Sequence, residues 1–319
     1  MRQDPEPYAL ALQSVWFPFA KEVFENPLSD VVSSLPPELS DLGSAFVSNL
    51  GAALSVAQLP YLMALSGVNQ RRFQALITAQ RIRARMQDNL ETDEEREHWA
   101  MQTAQEKFND EDFKGDMTEP LPASARVLLD DLTNLLADEH FCRSTHELLR
   151  QCTVLCWGAF EVVASDLFVV FVNERPSAVA QLLEDQRTRK LYDPREFGDA
   201  LQDRNYDLTH CMGEVLIEQS RIDDVDTIRK VFDVLFPQDE SLRSKLSDGL
   251  LWRLGQDRNL ILHRRAVVDK TYKANTGSTL TVGSVLDITP ENFEKYLLYV
   301  RDAGCALLRA ASDPARAKT

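Results

Sequence analysis

Apolar residues return every three or four positions over most of this chain, the spacing of an α-helix with one buried face. The strongest such run is Ser144 to Asn173. There Val154, Leu155, Trp157, Phe160, Val163, Leu167, Val170 and Phe171 fall nearly all round the helix, which predicts a central position in a bundle. Arg175-Pro176 ends it, because the residue before a proline is pushed out of the helical region. A second long helix is predicted from Leu242 to about Val267, with Leu246, Leu250, Leu254 and Ile261 as its buried stripe. Arg71 to Asn89 has the pattern of one amphipathic helix, carrying Phe73, Leu76, Ile77, Ile82 and Met86. Shorter helices are expected over 176–185, 211–219 and 225–236. Thr289-Pro290-Glu291-Asn292 combines an N-capping hydroxyl with proline in the first turn, and opens a last helix reaching about Ala311. The alternation Thr279-Leu280-Thr281-Val282, after Asn275-Thr276-Gly277, suggests a small hairpin or an extended loop within 269–288. The expected class is all-α.

Punctuation divides the chain in two. Prolines 5, 7, 18, 27, 36 and 37 make residues 1–40 an irregular arm with short helices between breakers. Residues 109–122 combine acids, Gly115, Pro120 and Pro122, and form the candidate linker. The expected organisation is a helical N-terminal region, 1–122, and a second helical domain, 123–319. Leu42 to Gln70 contains no charged residue and is long enough to span a bilayer. Ser48, Asn49, Gln58, Pro60 and Ser66 interrupt it, so a pair of buried helices broken near Pro60 is expected instead of a membrane span.

Composition narrows the partners. The formal charge is −15 and the pI about 4.8. Nonspecific nucleic-acid binders are basic, because displacing counterions from phosphates drives their affinity. Contact with RNA would therefore need a local cationic patch on an acidic body, which in turn suits a basic protein regulator. One basic island, Arg71, Arg72, Arg81, Arg83 and Arg85, reads as a solvated helix face or as a contact for RNA or a partner. Five scattered cysteines and an opening Met-Arg-Gln-Asp-Pro without an apolar core fit free thiols in a reducing cytoplasm. Cys142, His146 and Leu149 follow helical spacing, so the nearby His140, Cys142, His146, Cys152 and Cys156 read as a helix core face and not as metal ligands. No metal or cofactor is expected. Phosphate-binding loops, dinucleotide fingerprints, H-E-x-x-H and G-x-S-x-G are missing from the sequence, which removes the motif support for those enzyme classes.

The chemistry concentrates in Arg253-Leu-Gly-Gln-Asp-Arg258-Asn259-Leu-Ile-Leu-His263-Arg264-Arg265. An arginine and a histidine five apart are matched elsewhere by Arg204 and His210, six apart, so the spacing alone does not choose. Context favours Arg258 and His263. They lie on a long patterned helix, and Arg253, Arg264, Arg265, Lys270 and Lys273 surround them against only Asp257 and Asp269.

The Arg-Asn-x-x-x-His-Arg sequence resembles the R-x4-6-H signature of the HEPN ribonucleases. The downstream pattern is similar to that of their defence-associated RiboL-PSP and MAE types. Val267-Val268-Asp269-x-x-Tyr272 comes first, then a loop, Leu286-Asp287-Ile288-Thr289 and a closing helix. Upstream, Trp157, Phe160 and Glu161 resemble the first helix of those families. The resemblance covers residues from about 140 to 312 and leaves 1–120 unmatched. It implies a HEPN-like helical bundle and a metal-independent RNA endonuclease, a toxin or effector of bacterial phage defence or of a toxin–antitoxin pair. A non-catalytic HEPN scaffold or nucleotide- or RNA-binding dimerisation module is the alternative.

In that reading His263 is the acid/base, since imidazole titrates near neutrality, and Arg258 stabilises the crowded phosphate with its planar fork of donors. Asn259 completes the site, Arg264, Arg265, Lys270 and Lys273 hold flanking RNA, and Glu161 orients Arg258 or His263. The expected products are 2′,3′-cyclic phosphates. Helix geometry adds a constraint. Positions five apart diverge by about 140°, whereas Asn259 and His263, four apart, share a face. One phosphate meets both groups only if the helix bends or a second chain contributes, so a two-fold homodimer with a composite cleft is expected, with RNA as substrate and a protein antitoxin or defence-complex partner.

Overall fold

A computed structural model describes residues 17, 21–87, 90–110, 130, 133–192, 197–205, 207–208 and 210–313. The protein is all-α. Its helices are α1 Lys21–Ser33, α2 Pro37–Ala84, α3 Asp93–Asp110, α4 Glu139–Glu174, α5 Ala178–Glu184, α6 Phe197–Asp203, α7 Met212–Gln219, α8 Val225–Leu235, α9 Glu240–Leu246, α10 Gly249–Arg264, α11 Lys270–Thr276 and α12 Pro290–Ser312. Among the described residues, extended pairing is limited to one antiparallel bridge between Val267 and Val285. The linker expected over 109–122, and with it the division at residue 122, falls almost wholly outside the described residues.

The chain forms two compact units, one of residues 1–18 with 58–145 and one of 19–57 with 146–319. Residues 19–57 thus belong with the C-terminal region, a partition that the linear pattern does not reveal. In the first unit, Val68 is buried among Tyr61, Ala64, Leu65, Leu135, Leu136 and Phe141. Thr92 and Glu95 cap α3 reciprocally, with the Glu95 amide donating to Thr92 Oγ1 at 3.2 Å and the Thr92 amide to Glu95 Oε2 at 2.9 Å. Arg81, from the basic island, is tied to Glu97 at 2.8 Å.

Two expectations about element boundaries are overturned. α2 runs through Pro60 without the expected break, joining what the pattern separates into two helices and the amphipathic stretch from Arg71. A proline inside a helix removes one hydrogen bond and crowds the preceding turn. Here the cores on either side, Leu50, Ala53, Leu54 and Ala57 before it and Val68 and Ile77 after it, each hold their own stretch of α2 helical. The second correction concerns the helix expected from Leu242 to Val267. It is two helices, α9 and α10, divided at Ser247-Asp248 because Asp248 caps a new start, accepting from the Leu250 amide at 2.7 Å.

The second unit carries the candidate site. α12 packs on α1, α9 and α10, and α8 on α5, α9 and α10. Gly304 lets α12 meet α2 closely: a Cβ there would lie 2.2 Å from the Phe46 ring. Gly213 plays the same part at the start of α7, against the Val169 backbone. Asp269 starts α11 by accepting from the Tyr272 amide at 2.7 Å, and Gly277, at φ 63°, ends it. The Thr279–Val282 alternation leads into a turn at Gly283, so the loop form holds and no hairpin ladder develops among the described residues. Arg150 of α4, nearly buried, fixes the strand-like return by donating to the Leu286 carbonyl at 3.2 Å.

Candidate functional site

α10 has two faces, and its sequence separates them. Leu251, Leu254, Asp257, Leu260 and Ile261 point inward, whereas Trp252, Asn259, Leu262 and His263 are exposed. The inward carboxylate of Asp257 is only 2% exposed and still fully engaged. It accepts from Arg253 Nε at 2.9 Å, from the Tyr272 hydroxyl at 2.7 Å and from the Tyr296 hydroxyl at 2.6 Å. Arg253 also donates to the Tyr272 oxygen at 2.6 Å and lies 5.2 Å from that ring's centre. Burial and then Asp257 push both tyrosine hydroxyls above their ordinary range. Asp257 counts in the sequence only as a charge beside the motif, and its role as the anchor of three elements is not apparent there. The signals were Arg253 four residues before it and Tyr272 in the downstream pattern.

Arg258 turns toward α4. Its Nη2 donates to Glu161 at 3.3 Å and its Nη1 to Asn259 at 2.9 Å, while its Nε is buried without a hydrogen-bond partner among the described residues. Glu161 also accepts from Trp157 Nε1 at 3.0 Å. The carboxylate therefore fixes the guanidinium and an indole at once; of the two partners that the sequence suggests for Glu161, Arg258 and His263, it meets Arg258. The arginine side chain keeps 23% of its surface exposed.

Gly255 of α10 faces Trp157 of α4 and Val225 of α8, with room for no more than a methyl group in ordinary contact. A Cβ there would sit 3.5 Å from the Trp157 ring and 3.4 Å from Val225.

Two clefts flank this helix. The larger, about 340 Å³, is lined by Arg258 with Trp157, Trp252 and the start of α8. The smaller, about 160 Å³, holds His263 with Arg264, Asp269 and Asn275. Gln256 and Asn259 border both. Within one chain, then, Arg258 and His263 open into different clefts joined by two amides, as their divergence on an ideal helix requires.

The cationic surroundings are smaller than the sequence suggests. Arg253 is committed to Asp257, and Arg264 pairs with Asp269 at 3.5 Å. Lys273 donates to the Leu280 carbonyl at 3.1 Å. Arg265 and Lys270 remain exposed.

The chain turns sharply after His263. Arg265 and Ala266 both adopt the left-handed conformation, at φ 52° and 61°, and the Ala266 amide closes the helix on the Leu260 carbonyl at 3.1 Å. Two such non-glycine residues cost on the order of 1–3 kcal/mol each. Ala266 is buried and its carbonyl accepts from the Leu286 amide at 2.8 Å, so tertiary packing holds the turn.

The alternative pair is placed differently. Arg204 is bound to Glu218 at 2.7 Å, and His210 sits at φ 61° in an irregular stretch between α6 and α7. The histidine and cysteine cluster spreads along α4. Cys142 donates to the Leu136 carbonyl at 3.3 Å, His146 lies 3.8 Å from Asp287, and Cys152 and Cys156 are buried. Burial pushes the Cys152 thiol up to about 12. No family model, curated protein or solved structure matches the chain.

Proposed function

We propose that this chain is a metal-independent RNA endonuclease of the HEPN type, with Arg258, Asn259 and His263 as its reacting groups. One observation carries the reading: on an acidic protein, an exposed histidine and a half-buried guanidinium flank Asn259 on a single helix, each opening into a cleft. In the reaction a base takes the proton of the 2′-hydroxyl, whose oxygen attacks phosphorus. The 5′-oxygen leaves with a proton from an acid, giving a 2′,3′-cyclic phosphate and a 5′-hydroxyl. Neither water nor a redox step is needed. His263 moves the proton, and Arg258 meets the charge that builds on the phosphoryl oxygens.

The divergence of the two clefts supports a composite site between two copies of the chain. Exposed Leu155 and Val162 on α4, and Leu262 on α10, leave apolar side chains on the two helices of the site that a two-fold contact would cover. Arg265 and Lys270 are the cations available to flanking phosphates, with Arg264 and Lys273 recruited from weak partners. The acidic remainder suits a basic antitoxin or another defence-complex protein, and a cytoplasmic toxin or effector is the biological role proposed.

The test uses purified protein with total RNA, with and without EDTA. Cleavage that survives the chelator and falls about 10²- to 10⁴-fold in His263→Ala is expected. Relief of growth arrest on expressing that variant should accompany it. Equal cleavage by wild type and His263→Ala removes the assignment. A second reading, a HEPN scaffold that binds without cutting, draws on the Glu161 carboxylate, which already occupies Arg258. It is favoured if wild-type protein leaves RNA intact.

A further inference from the structure

We infer that the larger cleft beside Arg258 is a base-recognition pocket for guanine. This inference rests on the nuclease reading for its role, namely holding the base next to the scissile phosphate.

The charge balance of the cleft argues first. Three carboxylates line it, at Asp223, Asp224 and Asp226, and two are engaged. Asp224 caps α8, accepting from the Asp226 and Thr227 amides at 2.9 and 3.0 Å. Asp226 is paired with Arg229 at 2.7 Å and with Lys230. Asp223 alone keeps a carboxylate with no hydrogen bond or ion pair among the described residues. Arg258, the cation of the cleft, is partly neutralised by Glu161. Asp223, and Asp224 whose partners are neutral donors, therefore leave the cleft acidic, which favours a ligand edge that presents hydrogen-bond donors. A neutral, planar ring with such an edge fits.

The other lining groups specify that ring. Trp252 is 37% exposed and lines the cleft with Gly255 and the buried Trp157, offering an indole for stacking. The lining includes a carboxylate acceptor without a partner among the described residues, Asp223. It also includes the donor-bearing Gln256 and Asn259 amides and the Arg258 guanidinium. Guanine presents the complementary edges: N1–H and N2–H donors for a carboxylate, and O6 and N7 acceptors for an amide donor. Adenine has no N1–H, and the pyrimidines stack over a smaller area. A volume of about 340 Å³ lies at the small end of ligand pockets, suited to one base and its sugar.

Isothermal titration of the full chain with GMP, AMP, CMP and UMP tests this without requiring cleavage. GMP should bind most tightly. Asp223→Asn, at an exposed position, should weaken GMP by about 5- to 150-fold and leave the weaker AMP binding unchanged. Trp252→Ala should weaken every nucleotide by a similar factor, through lost stacking. If GMP binds no better than AMP, or Asp223→Asn binds GMP as wild type does, the pocket is overturned. Short RNAs with a single guanine then separate the two proposals. Selective GMP binding without cleavage keeps the pocket and removes the nuclease, whereas cleavage indifferent to the guanine's position removes the pocket and keeps the nuclease.

Discussion

Asp257 and Arg258 are neighbours in sequence, both charged, on one helix, yet they live under opposite rules. Asp257 faces inward, where α10 meets α11 and α12, and every approach to it is occupied by a tyrosine or arginine donor. Arg258 faces α4 with one fixed carboxylate partner, an unsatisfied Nε and an open cleft alongside. A buried ionic group with all its hydrogen bonds made ties elements together, and removing one member leaves the others stranded. A partly exposed guanidinium at the rim of a cleft keeps part of its hydrogen-bonding capacity for a ligand. Polarity alone does not mark a functional residue on this helix. What separates the two is whether the hydrogen-bonding capacity is already consumed.

Asp257 is where this contrast is most directly put at risk. Replacing it with Ala strands the Tyr272 and Tyr296 hydroxyls, buried at 4% and 5% exposure, and removes the partner of Arg253. The expected loss is about 3–5 kcal/mol of unfolding free energy, read by urea denaturation. A loss below about 1 kcal/mol would show that the network is dispensable.

Tyr296→Phe removes one donor and should cost about 1–3 kcal/mol. It also probes the inward network through pH. Burial and Asp257 raise the Tyr296 hydroxyl above its unfolded value, which is about 10. The native state then holds a proton that the unfolded chain releases, so this stabilisation is complete below about pH 10 and declines as pH rises toward the folded value. Wild type should therefore lose stability above about pH 10 more steeply than Tyr296→Phe, and equal slopes would remove the hydroxyl from the account.

Much of the architecture was legible in the pattern, and the exceptions have physical causes. The apolar run of α4 and the Thr289-Pro290 start of α12 are local signals, and both elements stand where the spacing puts them. So does the placing of Arg258, Asn259 and His263 on one helix, with the two charged groups diverging. Pro60 misleads because a helix survives a proline when side chains far away in sequence hold both of its flanks. The joining of 19–57 to the C-terminal region rests on contacts such as Phe46 with Gly304, which no periodicity reports. The cationic cluster is overstated for the same reason. One-dimensional counting registers Arg253 as free charge, although its partner is four residues away, facing inward.

The smallest effect is the most discriminating. His263 is exposed in the last turn of α10, close to the left-handed Arg265 and Ala266, a position from which a side chain could brace the turn. The contacts say otherwise. The turn is closed by backbone bonds, Ala266 to Leu260 and Leu286 to Ala266, and by burial of Ala266, none of which uses the imidazole. Substituting an exposed side chain of this kind changes stability by less than about 0.5 kcal/mol. His263→Ala should therefore unfold at the same denaturant concentration as wild type within that margin, while Asp257→Ala, earlier on the same helix, does not. A destabilisation above about 1 kcal/mol would make the histidine a structural residue, and any loss of cleavage in that variant would then say nothing about chemistry.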